Sequence, residues 1–286
     1  MLSELLAMTA LTAAFATATP REDLAARATA LGLPHADRIA ADALPGARLV
    51  PGGVDTVGAS RLGGDPDLSP GMRWPTCRGK KTSFLAQIPL ADFAQIEPGT
   101  VPTDGTLAVF AGLIPDDDGV TQMEQSQGRV GRATCVLVRT LSGTLVRRTT
   151  PRRVPKLRSR PVRLVPTLTV VDSDIAKERY DLTDEQVYGK YWRLEFEAAA
   201  GTLGRRPDEL PIHQLLGWPS AVQYPPLFGC GKTFPKEPTH RLLLQMAFDE
   251  RLNFAIGDGG SLYLTGRSAD LRAGRFDRLC SEFQQG

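Results

Sequence analysis

An ordered set of landmarks that occurs twice constrains this chain more than any single motif. The first copy lies within Ser60 to Phe110. It reads Leu62-Gly63-Gly64-Asp65-Pro66, then Trp74-Pro75, then Phe84-Leu85-Ala86-Gln87-Ile88, then Gly105-Thr106-Leu107-Ala108-Val109-Phe110. A weaker version follows His213 in the same order: Leu216-Gly217-Trp218-Pro219, Leu243-Leu244-Gln245-Met246, and Gly260-Ser261-Leu262-Tyr263-Leu264. Each landmark returns roughly 155 positions after its counterpart. One match of this kind is chance; three in order point to an internal duplication, about 58–112 and 213–271. Each copy joins a Gly-rich turn, where Gly takes backbone angles other residues avoid, to short apolar strands. With 28 Gly and 22 Pro, the chain favours turns and strands over a helical bundle. The expected fold is α+β, mainly antiparallel sheets with a few flanking helices and two pseudo-duplicated halves.

Residues 1–45 are expected to form an N-terminal helical segment and 46–286 the main domain. Met1 to Thr19 suits an amphipathic helix better than a secretory signal, because Glu4 precedes the apolar run and the first basic residue is Arg21. A signal peptide is the second reading, since Ala16-Thr17-Ala18 resembles a cleavage site. A helix is predicted from Arg21 to Gly32, with Pro20 at its first position and Glu22 and Asp23 at its positive end. Another is predicted from Thr183, which forms a capping box with Gln186, to about Phe196. Strands are expected at Phe84–Ile88, 105–110, 134–139 and 162–171. No apolar run is long enough for a transmembrane helix, so no membrane partner is expected.

The four cysteines, Cys77, Cys135, Cys230 and Cys280, are irregularly spaced and contain no Cys-x-x-Cys pair. They read as free thiols in a reducing, cytoplasmic protein. A zinc site from Cys230, His213 and His240 has no support in the spacing, and no metal or cofactor is expected.

The landmarks carry a resemblance. The chain resembles the YwqG-like proteins, the DUF1963 family, through Leu62 to Pro66, Trp74-Pro75, Phe84 to Ile88 and Gly105 to Leu107. The second half matches through Gly217-Trp218-Pro219, Gln223, Leu242 to Gln245, Gly257 to Tyr263, Asp270-Leu271 and Phe276-Asp277. Where the pattern calls for a second Gly after Gly217, this chain has Trp218. The resemblance implies an α+β fold of largely antiparallel strands and no catalytic residues.

Familiar chemical motifs are decoys here. Gly229-Cys230-Gly231-Lys232-Thr233 ends like a phosphate-binding loop, but its first Gly falls at Pro226 and Pro235 and Pro238 follow where a helix is required. Asp116-Asp117-Asp118-Gly119 lacks the alternating ligands of a calcium loop and reads as a solvated turn. Ser60 lacks the second Gly of a nucleophile elbow. No catalytic residue is assigned.

Two features remain. Gln87 and Gln245 each interrupt an apolar strand, and a buried amide left unpaired costs about 1–3 kcal/mol. The simple reading is that each ties its strand to the adjacent Gly-rich turn. The functional reading is a ligand site between the halves, from Gln87, Gln245, Gln223, Trp74 and His213. The second feature is charge. From Gln125 to Val171 there is no Asp or Glu, yet eleven basic residues, so at net +2 the remainder carries −9. The densest part is Arg147, Arg148, Arg152, Arg153, Lys156, Arg158, Arg160 and Arg163. A solvated strand face balanced by acidic neighbours is one reading. An acidic protein partner is another. Electrostatic nucleic-acid binding is a third, disfavoured because the run has no aromatic residue for base stacking. The leading expectation is a non-enzymatic interaction module using this basic region. An enzyme or small-ligand binder with a cleft between the halves is the alternative.

Overall fold

The computed structural model describes residues 19–115, 121–123, 127–204, 212–228, 230, 239–257 and 259–285. The expected helix at Met1 to Thr19 therefore lies outside the described residues, apart from Thr19. So do the Asp116–Gly119 turn and all but Cys230 of the loop that imitates a phosphate site.

One large, curled antiparallel sheet organises the chain. Its strands are β1 (Leu44–Pro51), β2 (Arg61–Leu62), β3 (Ser83–Pro89), β4 (Thr106–Ala111), β5 (Gly128–Arg129) and β6 (Val136–Leu141). They continue with β7 (Arg160–Thr169), β8 (Gln214–Leu216), β9 (Arg241–Ala247), β10 (Ser261–Gly266) and β11 (Cys280–Gln284). Across the sheet the order is β5-β11-β10-β9-β8-β1-β7-β2-β3-β4-β6. The centre is the long β1–β7 ladder, paired without interruption from Leu44 opposite Thr169 to Pro51 opposite Val162. One flank carries the first set of landmarks and the other carries the second.

Both faces of the flanking strands are covered. Along β4, Leu107 and Val109 enter the main core, while Ala108 and Phe110 join a satellite cluster with Leu68, Phe84 and Leu137. Along β10, Leu262 and Leu264 enter the same main core, and Tyr263 packs on Leu227 and Leu242. This is the two-residue alternation of a strand, with apolar contacts on either side. Helix α1 (Pro20–Ala30) and helix α2 (Ala36–Asp42) belong to a second cluster. Helix α3 (Leu90–Ile96) instead sends Leu90 and Phe93 into the main core, against β1, β3 and β8.

The second cluster also holds α4 (Ser173–Arg179) and α5, a continuous helix of Asp184–Gln186, a π-helical stretch Val187–Tyr191, and Trp192–Ala200. The expected Thr183–Gln186 capping box is present, and a second, Thr19 with Glu22, opens α1. A fully buried carboxylate fastens α1 to α5. Glu197 receives two hydrogen bonds from Arg27, both 2.7 Å, one from Arg193 at 2.9 Å and one from the Gly204 N–H at 2.8 Å. Burial alone would raise its pKa, but these donors outweigh it and pull it down to about 2.

The two glutamines have matching surroundings. The Gln87 Oε1 accepts from the Asp67 N–H at 2.9 Å, while its Nε2 donates to the Ala59 carbonyl and the Asp67 carboxylate. The Gln245 Oε1 accepts from the Ser220 N–H at 3.1 Å, and its Nε2 donates to the Ser220 carbonyl. Both are fully buried. Register adds to the likeness. Gln87 stands opposite Arg61 and Gln245 opposite Gln214, and a bulge precedes each, at Leu85 and at Leu243.

Gly63 and Gly64 both have positive φ, and so do Leu216 and Gly217. The positive angles thus fall on Leu216 and Gly217 and not on Trp218. A leucine holds the left-handed angle there, at a cost of about 1–2 kcal/mol. A Cβ on Gly63 would meet the Arg158 carbonyl oxygen, and one on Gly217 the Thr169 hydroxyl.

The expectation of free thiols is overturned: Cys77 bonds to Cys135 and Cys230 to Cys280. Spacing concealed this because the sheet brings together residues 58 and 50 positions apart. Cys230 consequently has no thiolate to offer the zinc site considered above.

Two predictions follow from these fastenings. Unreduced protein should carry no alkylatable thiol when denatured. Closing loops of 58 and 50 residues corresponds to about 4 kcal/mol each in the chain-entropy model, so reduction should lower the melting temperature markedly. Four reactive thiols in fresh protein would contradict the pairing. Glu197→Gln should cost about 2 kcal/mol at neutral pH, a figure discounted for the solvent reaching Arg193. Because the folded pKa is depressed, this stabilisation is complete above about pH 4.5 and fades as the pH falls toward 2. The stability curves of wild type and variant should therefore converge in acid.

Candidate functional site

The loop that follows β8, residues 217–224, is pinned from beneath by three side chains. Gln245 takes both backbone groups of Ser220, and the Tyr263 hydroxyl donates to the Ser220 carbonyl at 2.9 Å. Gln284 accepts from the Val222 and Gln223 N–H groups and donates to the Tyr224 carbonyl. Held this way, the loop forms a wall shared by two adjoining cavities of about 710 and 360 Å³. Phe196, Ser220, Ala221 and Val222 line both, so they form one groove.

The smaller cavity is acidic and aromatic. Asp172 and Glu195 line it beside Ser173, Asp174 and Trp192. Asp172 caps α4 by accepting from the Asp174 N–H at 2.9 Å. The Trp192 indole N–H donates to the Ser173 hydroxyl at 2.7 Å, and Ser173 in turn donates to Glu195. Burial raises Asp172 to about 6, helped by the charge of Asp174. Burial first and the Asp172 charge second push Glu195 well above the carboxylate range. Burial and mutual repulsion thus favour the protonated form of both carboxyls, more strongly for the fully buried Glu195 than for Asp172. Trp192 follows directly on the π-helical stretch and is half exposed, with Tyr188 edge-on to it at 5.2 Å.

The larger cavity reaches Gln245, Asp249, Glu250 and Arg251. Asp249 and Arg251 also line a small cavity of about 90 Å³ on the other side, with Arg48, Leu62, Arg160 and His213. His213 is buried. Its Nδ1 accepts from the Ala247 N–H and its Nε2 lies 3.3 Å from Asp249, an arrangement that places the ring hydrogen on Nε2. Ser60 has no histidine partner, as its hydroxyl donates to Asp92. Among the described residues no group of three or more His, Cys, Asp or Glu could hold a metal ion.

The five sequence-level ligand residues are divided by the fold. Gln245 and Gln223 line the groove, and His213 lies next to it across Asp249. Gln87 lies on the other flank, sealed around Asp67. Trp74 packs there on Phe110 and donates to the Thr82 carbonyl.

Several of the basic residues have partners within the chain. Arg147 bridges Asp55 and the fully buried Asp67, and Lys156 pairs with Asp65 at 2.7 Å. Arg148 and Arg158 donate to the carbonyls of Met72 and Glu250. Arg152, Arg153 and Arg163 are exposed, and Arg160 turns toward the small cavity. Asp172, Glu195 and Trp192 escaped sequence reading because each has a bland local role, as a helix cap or a helical position. No spacing links residues 172 and 195 to the loop at 220.

A comparison with curated proteins finds no match. A family model described as a domain of unknown function, DUF1963, matches residues 60–284 and so takes in both flanks of the sheet and the groove. With most of its length covered by that match, the chain belongs to the DUF1963 family.

Proposed function

We propose that the protein is a binding protein whose groove takes a small organic cation. The observation that carries this reading is the pair of buried carboxyls at the groove wall, Asp172 and Glu195, beside the half-exposed indole of Trp192. A carboxylate in a partly desolvated cavity attracts a cation more strongly than one in water. An indole face adds about 1–2 kcal/mol through its quadrupole. Glu195, whose protonated form burial favours, supports orientation rather than charge. No histidine lines the groove, and its Ser173 hydroxyl is held between the Trp192 indole and Glu195, so the reading is binding, not turnover.

Two broader expectations belong with this proposal. The halves are read as copies of one unit, supported by the backbone partners that Gln87 and Gln245 each find at both ends of the amide, the bulges at Leu85 and Leu243, and the two positive-φ turns. The compartment is read as an oxidising one rather than the cytoplasm first expected, on the strength of the two disulfides. Among the described residues no helix is long and apolar enough to cross a membrane. A second reading keeps the basic region as a docking surface for an acidic protein. It is favoured by the exposed guanidiniums of Arg152, Arg153 and Arg163, which make no hydrogen bond or ion pair among the described residues.

Titration with putrescine and with choline, followed by tryptophan fluorescence, tests the groove. Asp172→Asn keeps the helix cap, because Asn caps as Asp does, and should weaken binding at least tenfold. Trp192→Ala should weaken it by a similar factor. Wild-type affinity should fall about tenfold per pH unit below pH 6 as Asp172 takes up its proton. The linkage has the opposite sign for folding. With its folded pKa raised, Asp172 contributes stability that is lost as the pH rises from about 4 to 6. Asp172→Asn should therefore fold at least as stably as wild type at pH 7. Equal affinity at pH 5 and pH 8 would sink the groove reading. For the second reading, reversing the charge of Arg152, Arg153 and Arg163 should abolish capture of acidic partners. Unchanged capture, or capture of nucleic acid alone, rejects it.

A further inference from the structure

Eight large apolar side chains are exposed among the described residues, and four of them meet at the groove. Tyr188, Trp192 and Phe196 recur at every fourth residue of α5 and are 57%, 52% and 37% exposed. Residues four apart share one face of a helix, so the three rings form a single stripe. Tyr188 stands edge-on to Trp192, and Phe196 lines both cavities. Val222, on the loop that walls the groove, lines both cavities as well. The other four, Val54, Val57, Ile114 and Val146, are aliphatic. Every exposed Phe, Tyr or Trp among the described residues is thus on this stripe.

Acidic side chains lie on either side of this apolar stretch. Asp172 and the exposed Asp174 line the smaller cavity, and Asp249 and the exposed Glu250 line the larger. Phe196, Ala221 and Val222 line the part common to both. Arg251 is the only basic residue in the lining of either. With a volume of about 710 Å³, the larger cavity alone is in the range of sites for drug-sized ligands, roughly 300–1,000 Å³. A lone diamine or quaternary amine fills a small part of that space and leaves Phe196 and Val222 uncovered. Exposed apolar patches rimmed by polar groups are places where a partner binds, and aromatic anchors dominate the energy of such contacts.

We propose that the groove takes an extended segment of another polypeptide, one that carries two basic side chains on either side of an aliphatic one. The proposal rests on the cation reading of the groove and names the source of the cation as a lysine or arginine side chain. Alternate side chains of an extended chain face the same way. A segment of the order Lys-x-Leu-x-Lys therefore sends its cations toward the carboxyls of the two cavities and its aliphatic group to Phe196 and Val222. Trp192 and Tyr188 continue the contact along the helix. Charge complementarity selects this occupant, because an acidic segment would bring like charges together at both cavities.

Fluorescence anisotropy with labelled, amidated pentapeptides on the full chain tests it, with putrescine as competitor. The peptide Lys-Ser-Leu-Ser-Lys should bind saturably and be displaced by putrescine. Changing its Leu to Ser should weaken binding at least about fivefold, and changing both Lys to Glu should abolish it. Val222→Ser and Tyr188→Ala, both at exposed positions, should each weaken the peptide at least about threefold while the melting temperature stays close to wild type. Putrescine binding without peptide binding overturns this proposal and leaves the cation reading standing. Absence of both overturns the two together. Peptide affinity that ignores the change of Leu to Ser also overturns it, because the apolar stripe then contributes nothing. Sedimentation equilibrium of the protein alone checks the remaining occupant. Self-association that Val222→Ser abolishes would assign the stripe to a second copy of this chain and overturn the proposal.

Discussion

A glutamine in a fully buried strand is tolerable only if both ends of its amide are hydrogen-bonded, and in this fold that requirement fixes where the loops go. Gln87 and Gln245 each reach from a strand to the chain that follows the neighbouring short strand, and each bonds backbone on both sides of the amide. Asp67 and Ser220 are thereby held against the sheet. The tight turns at Gly63-Gly64 and Leu216-Gly217 bring them there, and the bulges at Leu85 and Leu243 lie two residues before each amide. Losing either amide would leave buried backbone groups without partners, which costs more than one hydrogen bond is worth.

The two flanks use this framework differently. On the first, Asp67 is a buried carboxylate and must be neutralised. Burial pushes its pKa up, yet Arg147, the Gly58 N–H and Gln87 more than offset this and hold it low. Arg147 in turn engages Asp55, which also pairs with the fully buried Arg61. That network fills the space beside the amide. On the second flank the residue that the glutamine holds is Ser220, which brings no charge to neutralise, and the space beside its loop stays open as the groove. Part of the charge imbalance in the sequence is thus resolved inside the molecule, with a basic segment answering carboxylates laid down earlier in the chain.

Much of the sheet was legible beforehand. The apolar runs around Gln87 and Gln245, the turn glycines and the Thr183–Gln186 capping box are local signals, and each marks an element at the expected place. The antiparallel, sheet-dominated α+β class followed from them. The central ladder was harder to see. No short-range signal marks β1, and its partner strand lies more than a hundred residues away, beyond the reach of any local pattern. The disulfides are hidden for the same reason, because tertiary folding and not sequence spacing brings Cys77 to Cys135.

By itself, the sequence determined the family resemblance, the strand and turn vocabulary, and the need of two buried glutamines for backbone partners. Those are consequences of residue type and short-range geometry. Tertiary structure decided which charges are spent internally, which flank keeps an open groove, and that Asp172 and Glu195 are buried together beside Trp192. These outcomes depend on burial and on distances between remote residues, and electrostatic energies inside a protein change severalfold with both.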